Sequence, residues 1–272
     1  MAAITGPLLL VGGGKMGGAL MRGWLQAGLA PADAFLIEPN DAARAELAGL
    51  GVATAVADAG DLAAFHPRTV IVAVKPQVMD AVLDGLGAFV GPKTLVVSIA
   101  AGKPISVFER AFGAATAIVR VMPNTPSAIG RGMSVLCASH SVTPAQRVEA
   151  EALMAAVGDT AWIGDEEQMH AVTGVSGSGP AYVFHMIEAL AAAGMAAGLP
   201  EDLAKRLALR TVEGAGALAG TGDVEPAVLR ANVTSPGGTT AAGLGVLMAE
   251  DGLGPLLERT VAAAAERSRE LA

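Results

Sequence analysis

The chain has 272 residues, enough for two domains at the usual size of roughly 100–200 residues each. Its formal net charge of -8 comes from 18 Lys and Arg against 26 Asp and Glu, so it lacks the basic excess of a nucleic-acid-binding protein. Mean hydropathy is +0.50, yet no apolar stretch reaches the roughly 18 residues of a membrane helix. The single cysteine, Cys137, excludes an internal disulfide. We therefore predict a cytoplasmic protein without nucleic-acid or membrane partners.

The first half of the chain alternates short apolar runs with segments of helical periodicity, which is the pattern of β-α-β units. Helices are predicted over residues 15–27, 77–86 and 144–157. Strands are predicted over residues 8–11, 34–38, 69–74, 94–99, 117–121 and 133–138. These elements predict an α/β domain over residues 1–165, a Rossmann-type dinucleotide-binding domain with a mostly parallel sheet.

Strand signals stop after residue 165, and helices are predicted over residues 179–197, 200–219, 225–231 and 253–271. The second domain, residues 166–272, is therefore predicted to be all helical. Its Ala- and Gly-rich helices offer small apolar faces, and the chain has few aromatic residues with which to fill a separate core. Such helices bury more surface against a partner than alone, so we expect a homo-oligomer with this domain as its dimerisation domain.

A glycine-rich segment directly follows the first predicted strand and opens a helix, in the order G-x-G-x-x-G. In that context the first glycine allows a tight turn, the second lets the backbone approach a pyrophosphate, and the third permits close packing of the helix. The helix N-terminus then offers unpaired N–H groups to phosphates. We predict that the whole segment binds the dinucleotide: Gly12, Gly13, Gly14, Lys15, Met16 and Gly17.

Glu38 closes the second predicted strand and is followed by Pro39 and Asn40. An acid at this position commonly accepts a hydrogen bond from the ribose 2′-OH of NAD. Two interpretations stay open, a ribose-binding carboxylate and a plain acid at a strand end. A carboxylate here would repel the 2′-phosphate of NADP, whereas Asn40 could donate to it. Cofactor contacts are predicted for all three residues.

Two later strand ends face the same edge of the predicted sheet, where α/β proteins bind ligands. The first carries Val74, Lys75 and Pro76, in which the proline fixes the chain and the lysine can approach the dinucleotide. The second carries the small residues Ala100 and Ala101, so the nicotinamide end can pass close to the backbone. A stiff loop with two prolines, residues 122–126, follows another strand toward this edge.

The helical half contains a segment dense in glycine and hydroxyl residues, Val-Thr-Ser-Pro-Gly-Gly-Thr-Thr at residues 233–240, directly before a helix. Such a turn presents several backbone N–H groups to an anion, and a substrate carboxylate would fit it. A second segment, Ser-Gly-Ser-Gly-Pro at residues 176–180, also precedes a helix, and helix capping alone could explain its hydroxyls.

These motifs, in this order, resemble the pyrroline-5-carboxylate reductase family over nearly the whole chain, and residues 233–240 look like the family signature. The resemblance implies NAD(P)H-dependent reduction of 1-pyrroline-5-carboxylate to L-proline, the last step of proline biosynthesis. The cofactor, NADPH or NADH, supplies the hydride, and the protein binds and orients the reactants. No metal is implied.

The resemblance also assigns roles to the signature. Ser235, Gly237, Gly238 and Thr239 would bind the substrate carboxylate, and the hydroxyl of Thr240 would lie near the ring nitrogen as the catalytic group. Asn232 would contact the ligands or orient the loop. The family further implies an intertwined dimer whose helical domains interleave, with each site completed by two chains.

Two alternatives remain. A β-hydroxyacid dehydrogenase would need a catalytic lysine in the helical half, whose only lysine, Lys205, lacks the surrounding G-x-x-x-N-x-x-K pattern. A non-catalytic NAD(P)-sensing protein would keep residues 12–17 but would have no need of residues 233–240.

Overall fold

The computed structural model describes residues 3–63 and 65–272. The chain forms two compact units by its internal contacts. One comprises the chain up to Gly177 together with Ala264–Ala272, and the other comprises Ser178–Ala263. Across the residues described, no helix is both long and apolar enough to cross a membrane.

The first unit contains an eight-stranded sheet in the order β3-β2-β1-β4-β5-β6-β7-β8. Neighbouring strands pair in parallel except β6 and β7, which are antiparallel. The strands are β1 (Leu8–Val11), β2 (Ala34–Ile37), β3 (Thr54–Val56), β4 (Thr69–Val72), β5 (Leu95–Ser98), β6 (Ala117–Met122), β7 (Gly132–Ala138) and β8 (Gly158–Trp162). This arrangement confirms the predicted α/β class with a mostly parallel sheet.

The α-helices of this unit are α1 (Lys15–Gln26), α2 (Asp41–Ala48), α3 (Met79–Leu86), α4 (Ile105–Phe112), α5 (Pro144–Ala155) and α6 (Gln168–Val172). A π-helical turn, Thr173–Gly177, follows α6 directly. Five elements were not predicted from the sequence: β3, β8, α2, α4 and α6. The strand β3 has three residues and β8 begins with glycine, so neither carries a strong apolar run.

Helices cover both faces of the sheet. Since successive side chains of a strand point to opposite faces, the residues of β1 are buried on both sides. On one face Leu8 and Leu10 pack with Trp24 of α1. On the other, Leu9 and Val11 pack in a cluster that contains Phe108 of α4. The indole Nε1 of Trp24 donates to the carbonyl oxygen of Leu153 at 2.8 Å, which links α1 to α5. Burying β1 on both faces fixes the loop that follows it.

The second unit is helical, and its helices are α7 (Gly179–Ala196), α8 (Glu201–Ala219), α9 (Pro226–Asn232), α10 (Thr239–Leu247) and the larger part of α11 (Leu253–Glu270). Glycine and alanine allow α7 and α8 to approach closely, since a Cβ at Gly194 would lie 3.3 Å from that of Ala204. The end of α11 belongs to the first unit, where Ser268 Oγ lies 2.9 Å from His170 Nδ1.

Candidate active site

The carboxyl ends of β1, β2, β4, β5 and β6 lie at one edge of the sheet, because these five strands are parallel. Sheet order reverses between β1 and β4, and ligands of open α/β sheets bind at such a point. Every cofactor residue that the sequence predicts follows one of these strand ends. The edge is therefore the candidate dinucleotide site.

The glycines of the first loop have different structural reasons. Gly12 has φ of +101°, and a Cβ there would lie 2.8 Å from the carbonyl group of Ala73, so only glycine fits the turn. A Cβ at Gly17 would overlap the carbonyl oxygen of Gly12, so this glycine permits helix α1 to start against the loop. Gly14 differs, because beyond its two neighbours a Cβ there would meet no atom of the described residues within 4 Å. The space beside Gly14 is free for a ligand.

Helix α1 begins at this open space. Gly14 is its N-cap and provides no side-chain cap, and the Gly18 amide donates to the Gly14 carbonyl at 2.7 Å. The amides of Lys15, Met16 and Gly17 lie ahead of that bond, in the first turn. N–H groups and the helix dipole together favour an anion at this place. Loop and helix thus fit a pyrophosphate.

Glu38 makes hydrogen bonds that neither interpretation of the sequence anticipated. Its carboxylate is buried and accepts from the Gly13 amide at 2.6 Å and from the Asn40 amide at 2.7 Å. The side chain of Asn40 is the N-cap of α2, where it accepts from the Ala43 amide at 2.9 Å. Glu38 thus links the turn after β2 to the glycine-rich loop.

A cavity of about 330 Å³ lies beside the ends of β1 and β2. Two of the predicted residues, Pro39 and Val74, line it together with Val11 and Ile37. Asp58 also lines it, and this residue was not predicted because β3, which ends two residues earlier, was not predicted. Apolar walls with one acid suit an adenosine group with its ribose hydroxyls.

The remaining predicted residues of this edge take ordinary positions. Lys75 is exposed, and Pro76 begins a 3-10 turn before α3. Ala100 is buried, Ala101 is exposed, and the adjacent Gly102 packs against the backbone of Leu271. These residues lie at the predicted strand ends. Among the described residues, the ammonium group of Lys75 has no hydrogen-bond or ion-pair partner.

The loop after β6 is fastened to the π-helical turn. Asn124 Nδ2 donates to Ser176 Oγ at 3.3 Å, and Asn124 Oδ1 accepts from the Met133 amide at 2.8 Å. A Cβ at Gly177 would overlap the side chain of Met122. Turns of π-helix are frequent at functional sites. This joint was not predicted, although both segments were singled out as motifs.

The predicted substrate residues lie together on the second unit, from the last residue of α9, Asn232, through the turn to the first two residues of α10, Thr239 and Thr240. Gly237 has φ of +69°, and the Gly238 amide donates to the Ser235 carbonyl at 3.1 Å. Gly238 is the N-cap of α10 and leaves the amides of Thr239 and Thr240 in the first helical turn. These two threonines are exposed, as are Asn232 and Ser235. The turn offers backbone N–H groups and hydroxyls to an anion.

Two protein families match the chain. Residues 166–271 match the family described as "Pyrroline-5-carboxylate reductase dimerisation". Residues 8–102 match the family described as "NADP oxidoreductase coenzyme F420-dependent". Together these matches cover the glycine-rich loop and the turn before α10.

Relatives match over nearly the full length. The chain is 41% identical over 268 residues to the pyrroline-5-carboxylate reductase of Pseudomonas aeruginosa. This alignment covers 98% of this chain and 97% of that protein. It is 39% identical over 266 residues to the one of Haemophilus influenzae, at 97% coverage of each. The Coxiella burnetii pyrroline-5-carboxylate reductase structure has a TM-score of 0.91 at 33% identity and 98% coverage of each chain. The Plasmodium falciparum pyrroline carboxylate reductase structure, with NADP bound, has a TM-score of 0.81 at 30% identity and 97% coverage of each. These findings confirm the resemblance seen in the motifs, and the chain belongs to the pyrroline-5-carboxylate reductase family.

Proposed function

We propose that this protein reduces 1-pyrroline-5-carboxylate to L-proline with NAD(P)H, as the last step of proline biosynthesis. A hydride adds to C5 of the cyclic imine, and a proton adds to the ring nitrogen. The observation that carries the proposal is the full-length likeness to reductases of this name, at 41% identity over 98% of the chain. Both motif clusters of the family lie within that length.

The cofactor supplies the hydride, and the first unit binds and orients it. The amides of Gly14, Lys15, Met16 and Gly17 bind the pyrophosphate, which the open space at Gly14 supports. The cavity lined by Pro39 and Val74 takes the adenosine. The other predicted residues, Gly12, Gly13, Lys75, Pro76, Ala100 and Ala101, shape the path of the dinucleotide along the sheet edge.

Both NADH and NADPH serve as cofactor in this proposal. The NADP-related family match and the NADP-bound relative support NADPH. The carboxylate of Asp58, which lines the adenosine cavity, supports NADH, because negative charge repels a 2′-phosphate.

The turn before α10 binds the substrate. Its carboxylate is held by the backbone and hydroxyl groups of Ser235, Gly237, Gly238 and Thr239, and the Thr240 hydroxyl lies at the ring nitrogen. Asn232 orients the turn. The first-turn amides of α10 support this assignment, since a helix N-terminus favours a carboxylate.

The protein works as a homo-oligomer built on an intertwined dimer. Large apolar side chains on the second unit support this, among them Phe184 at 59% exposure and Leu218 at 56%. Surfaces of this kind mark association sites. In such a dimer each site takes its cofactor residues from one chain and its substrate residues from the other. A reduced cytoplasm suits the single free thiol.

The dehydrogenase alternative requires a lysine that meets substrate. Lys205 Nζ instead pairs with Glu201 at 2.5 Å on the exposed surface of α8. An ion pair one helical turn apart is an ordinary feature of helix surfaces. This observation favours the reductase.

The proposal is tested by following NAD(P)H absorbance with purified protein. We expect oxidation of the cofactor only when 1-pyrroline-5-carboxylate is present, with L-proline as the product. A folded protein that binds NAD(P)H but turns over neither NADH nor NADPH with this substrate would support the sensing alternative instead.

The role of Thr240 is tested by Thr240→Ala. Since the lost interaction strengthens as the hydride arrives, kcat should fall about tenfold, equivalent to about 1.4 kcal/mol, with cofactor affinity retained. Thr234→Ala is a matched control, because that hydroxyl donates to the Arg230 carbonyl within the preceding helix. An unchanged kcat in Thr240→Ala would show that another group supplies the proton.

A further inference from the structure

The carboxylate of Glu38 is committed to the backbone. The residue is 7% exposed, Oε2 accepts from the Gly13 amide at 2.6 Å, and Oε1 accepts from the Asn40 amide at 2.7 Å. Hydrogen bonds to an ionised acceptor are roughly twice as strong as neutral ones. Glu38 thereby joins the end of β2 to Gly13, which lies 25 positions earlier in the sequence.

This bonding pattern requires a carboxylate. Two backbone N–H groups donate to the two different oxygens, so both terminal atoms of the side chain must be acceptors. An amide side chain has one acceptor and one donor, and would leave one of the two N–H groups facing an NH₂ group. A buried N–H without an acceptor is costly.

The loop packs tightly against this side chain. A Cβ at Gly13 would lie 3.3 Å from Glu38 Cγ and 2.7 Å from Leu47 Cδ1. Gly13 is therefore a glycine because Glu38 and Leu47 fill the space beside it. Its amide is used by Glu38, whereas the amides of Gly14 to Gly17 remain for phosphate.

The backbone of Glu38 is fixed from its other side. Arg44 Nη1 donates to the Glu38 carbonyl at 2.9 Å, and Arg44 Nη2 lies 2.5 Å from Asp41 Oδ1. The Glu38 amide donates to the Val56 carbonyl at 2.9 Å. An anchored backbone lets the carboxylate hold the loop at a set distance.

We propose that Glu38 is a positioning residue which fixes the glycine-rich loop, so that its phosphate-binding amides are preorganised for NADH and NADPH alike. The inference rests on the proposed function only in taking NAD(P)H as the ligand of this loop. It gives Glu38 a second role beside any contact with the ribose. Selection of the ribose acts on the ratio of the two cofactors, whereas loop positioning acts on both affinities together.

The test compares Glu38→Gln with a matched control, Glu46→Gln. Both substitutions remove one negative charge, but Glu46 lies on the exposed face of α2 and pairs with Arg22 at 2.8 Å. Titrations of NADH and NADPH, followed by cofactor fluorescence, give the two dissociation constants without requiring turnover. If wild-type protein bound neither NADH nor NADPH, the proposed function itself would be refuted. If it binds them, the two variants are compared with it.

In Glu38→Gln we expect both dissociation constants to rise about tenfold, and in Glu46→Gln neither to change by more than about twofold. At saturating cofactor, kcat of Glu38→Gln should stay within about twofold of wild type while its cofactor KM rises, which a loss of folded protein would not produce. Hydrogen exchange of the Gly13 amide or of the Asn40 amide should accelerate in Glu38→Gln alone, because glutamine keeps only one acceptor oxygen. Weaker NADH binding with unchanged or tighter NADPH binding would overturn the proposal and leave ribose selection as the role, and so would unchanged binding of both.

Discussion

The two compact units bury their apolar residues to very different extents. In the first, the β1 residues Leu8, Leu9 and Leu10 are 0–1% exposed, and Trp24 is fully buried. In the second, the buried residues among those described are three alanines, Ala191, Ala204 and Ala208. Larger side chains of the second unit lie at the surface, including Val246 at 73% and Met248 at 60% exposure.

The two units use their apolar residues for different purposes. A sheet covered on both faces closes its own core, because helices supply apolar surface to each side. A set of Ala- and Gly-rich helices packs closely but has too little side-chain volume to cover its own larger residues. The first unit buries its large apolar residues within itself, and the second leaves many of its own exposed, as the proposed dimer requires.

The largest effect is expected where the second unit meets that partner. Phe184→Lys places a charge in the proposed dimer surface, so the protein should become monomeric and lose at least about 100-fold in activity. Val148→Lys is the matched control, since Val148 is 54% exposed on α5 of the first unit. Light scattering with a turnover assay checks both variants. A dimeric, active Phe184→Lys protein would break the comparison.

A smaller effect separates two glycines of the first unit. A Cβ at Gly17 overlaps the Gly12 carbonyl, so Gly17→Ala should lower the free energy of unfolding by about 3 kcal/mol and weaken cofactor binding. Gly14→Ala, with open space around its Cβ, should cost less than about 1 kcal/mol while still weakening cofactor binding. Denaturant unfolding and NADH titration measure the two effects. Equal losses of stability would contradict the assignment of Gly14 to the ligand.

The smallest effect concerns the interior of the first unit. Burial, followed by the nearby Glu166 carboxylate, raises the pKa of the Cys137 thiol. Because the folded form then holds its proton more tightly than the unfolded chain, stability is intact below the ordinary thiol pKa of 9.0 and declines as pH rises above it. Alkylation by iodoacetamide at pH 8 should be at least about tenfold slower in native protein than in denaturant. Equal rates would show that this face of the sheet is open.

Local patterns in the sequence predicted the parts of the structure that depend on neighbouring residues. The strand β1 and the glycine-rich loop follow from an apolar run and from glycine spacing. The bonds of Glu38 were beyond prediction, because the Gly13 amide lies 25 positions away and an acid at a strand end is equally compatible with a ribose contact. Asp58 was missed with β3, a strand of three half-buried residues.

The contrast between the units was itself only partly predictable. Helix periodicity gave α7 and α8 closely, but whether Phe184 or Leu218 is covered depends on what packs over it. The sequence shows that both residues are apolar, but only the structure shows that both are exposed. Short elements such as α6, with five residues, carry too few periods to be recognised.

The central claim is that each unit holds half of the machinery and that a dimer joins the halves from two chains. It is tested by mixing Gly14→Asp chains, which place a carboxylate in the open phosphate space, with Thr240→Ala chains after dissociation and reassociation. Half of the reassociated dimers are mixed, and each mixed dimer has one site with both halves intact. The mixture should have a specific activity of roughly a quarter of wild type, well above the average of the two parents. A mixture no more active than that average would contradict it and would place each complete site within a single chain.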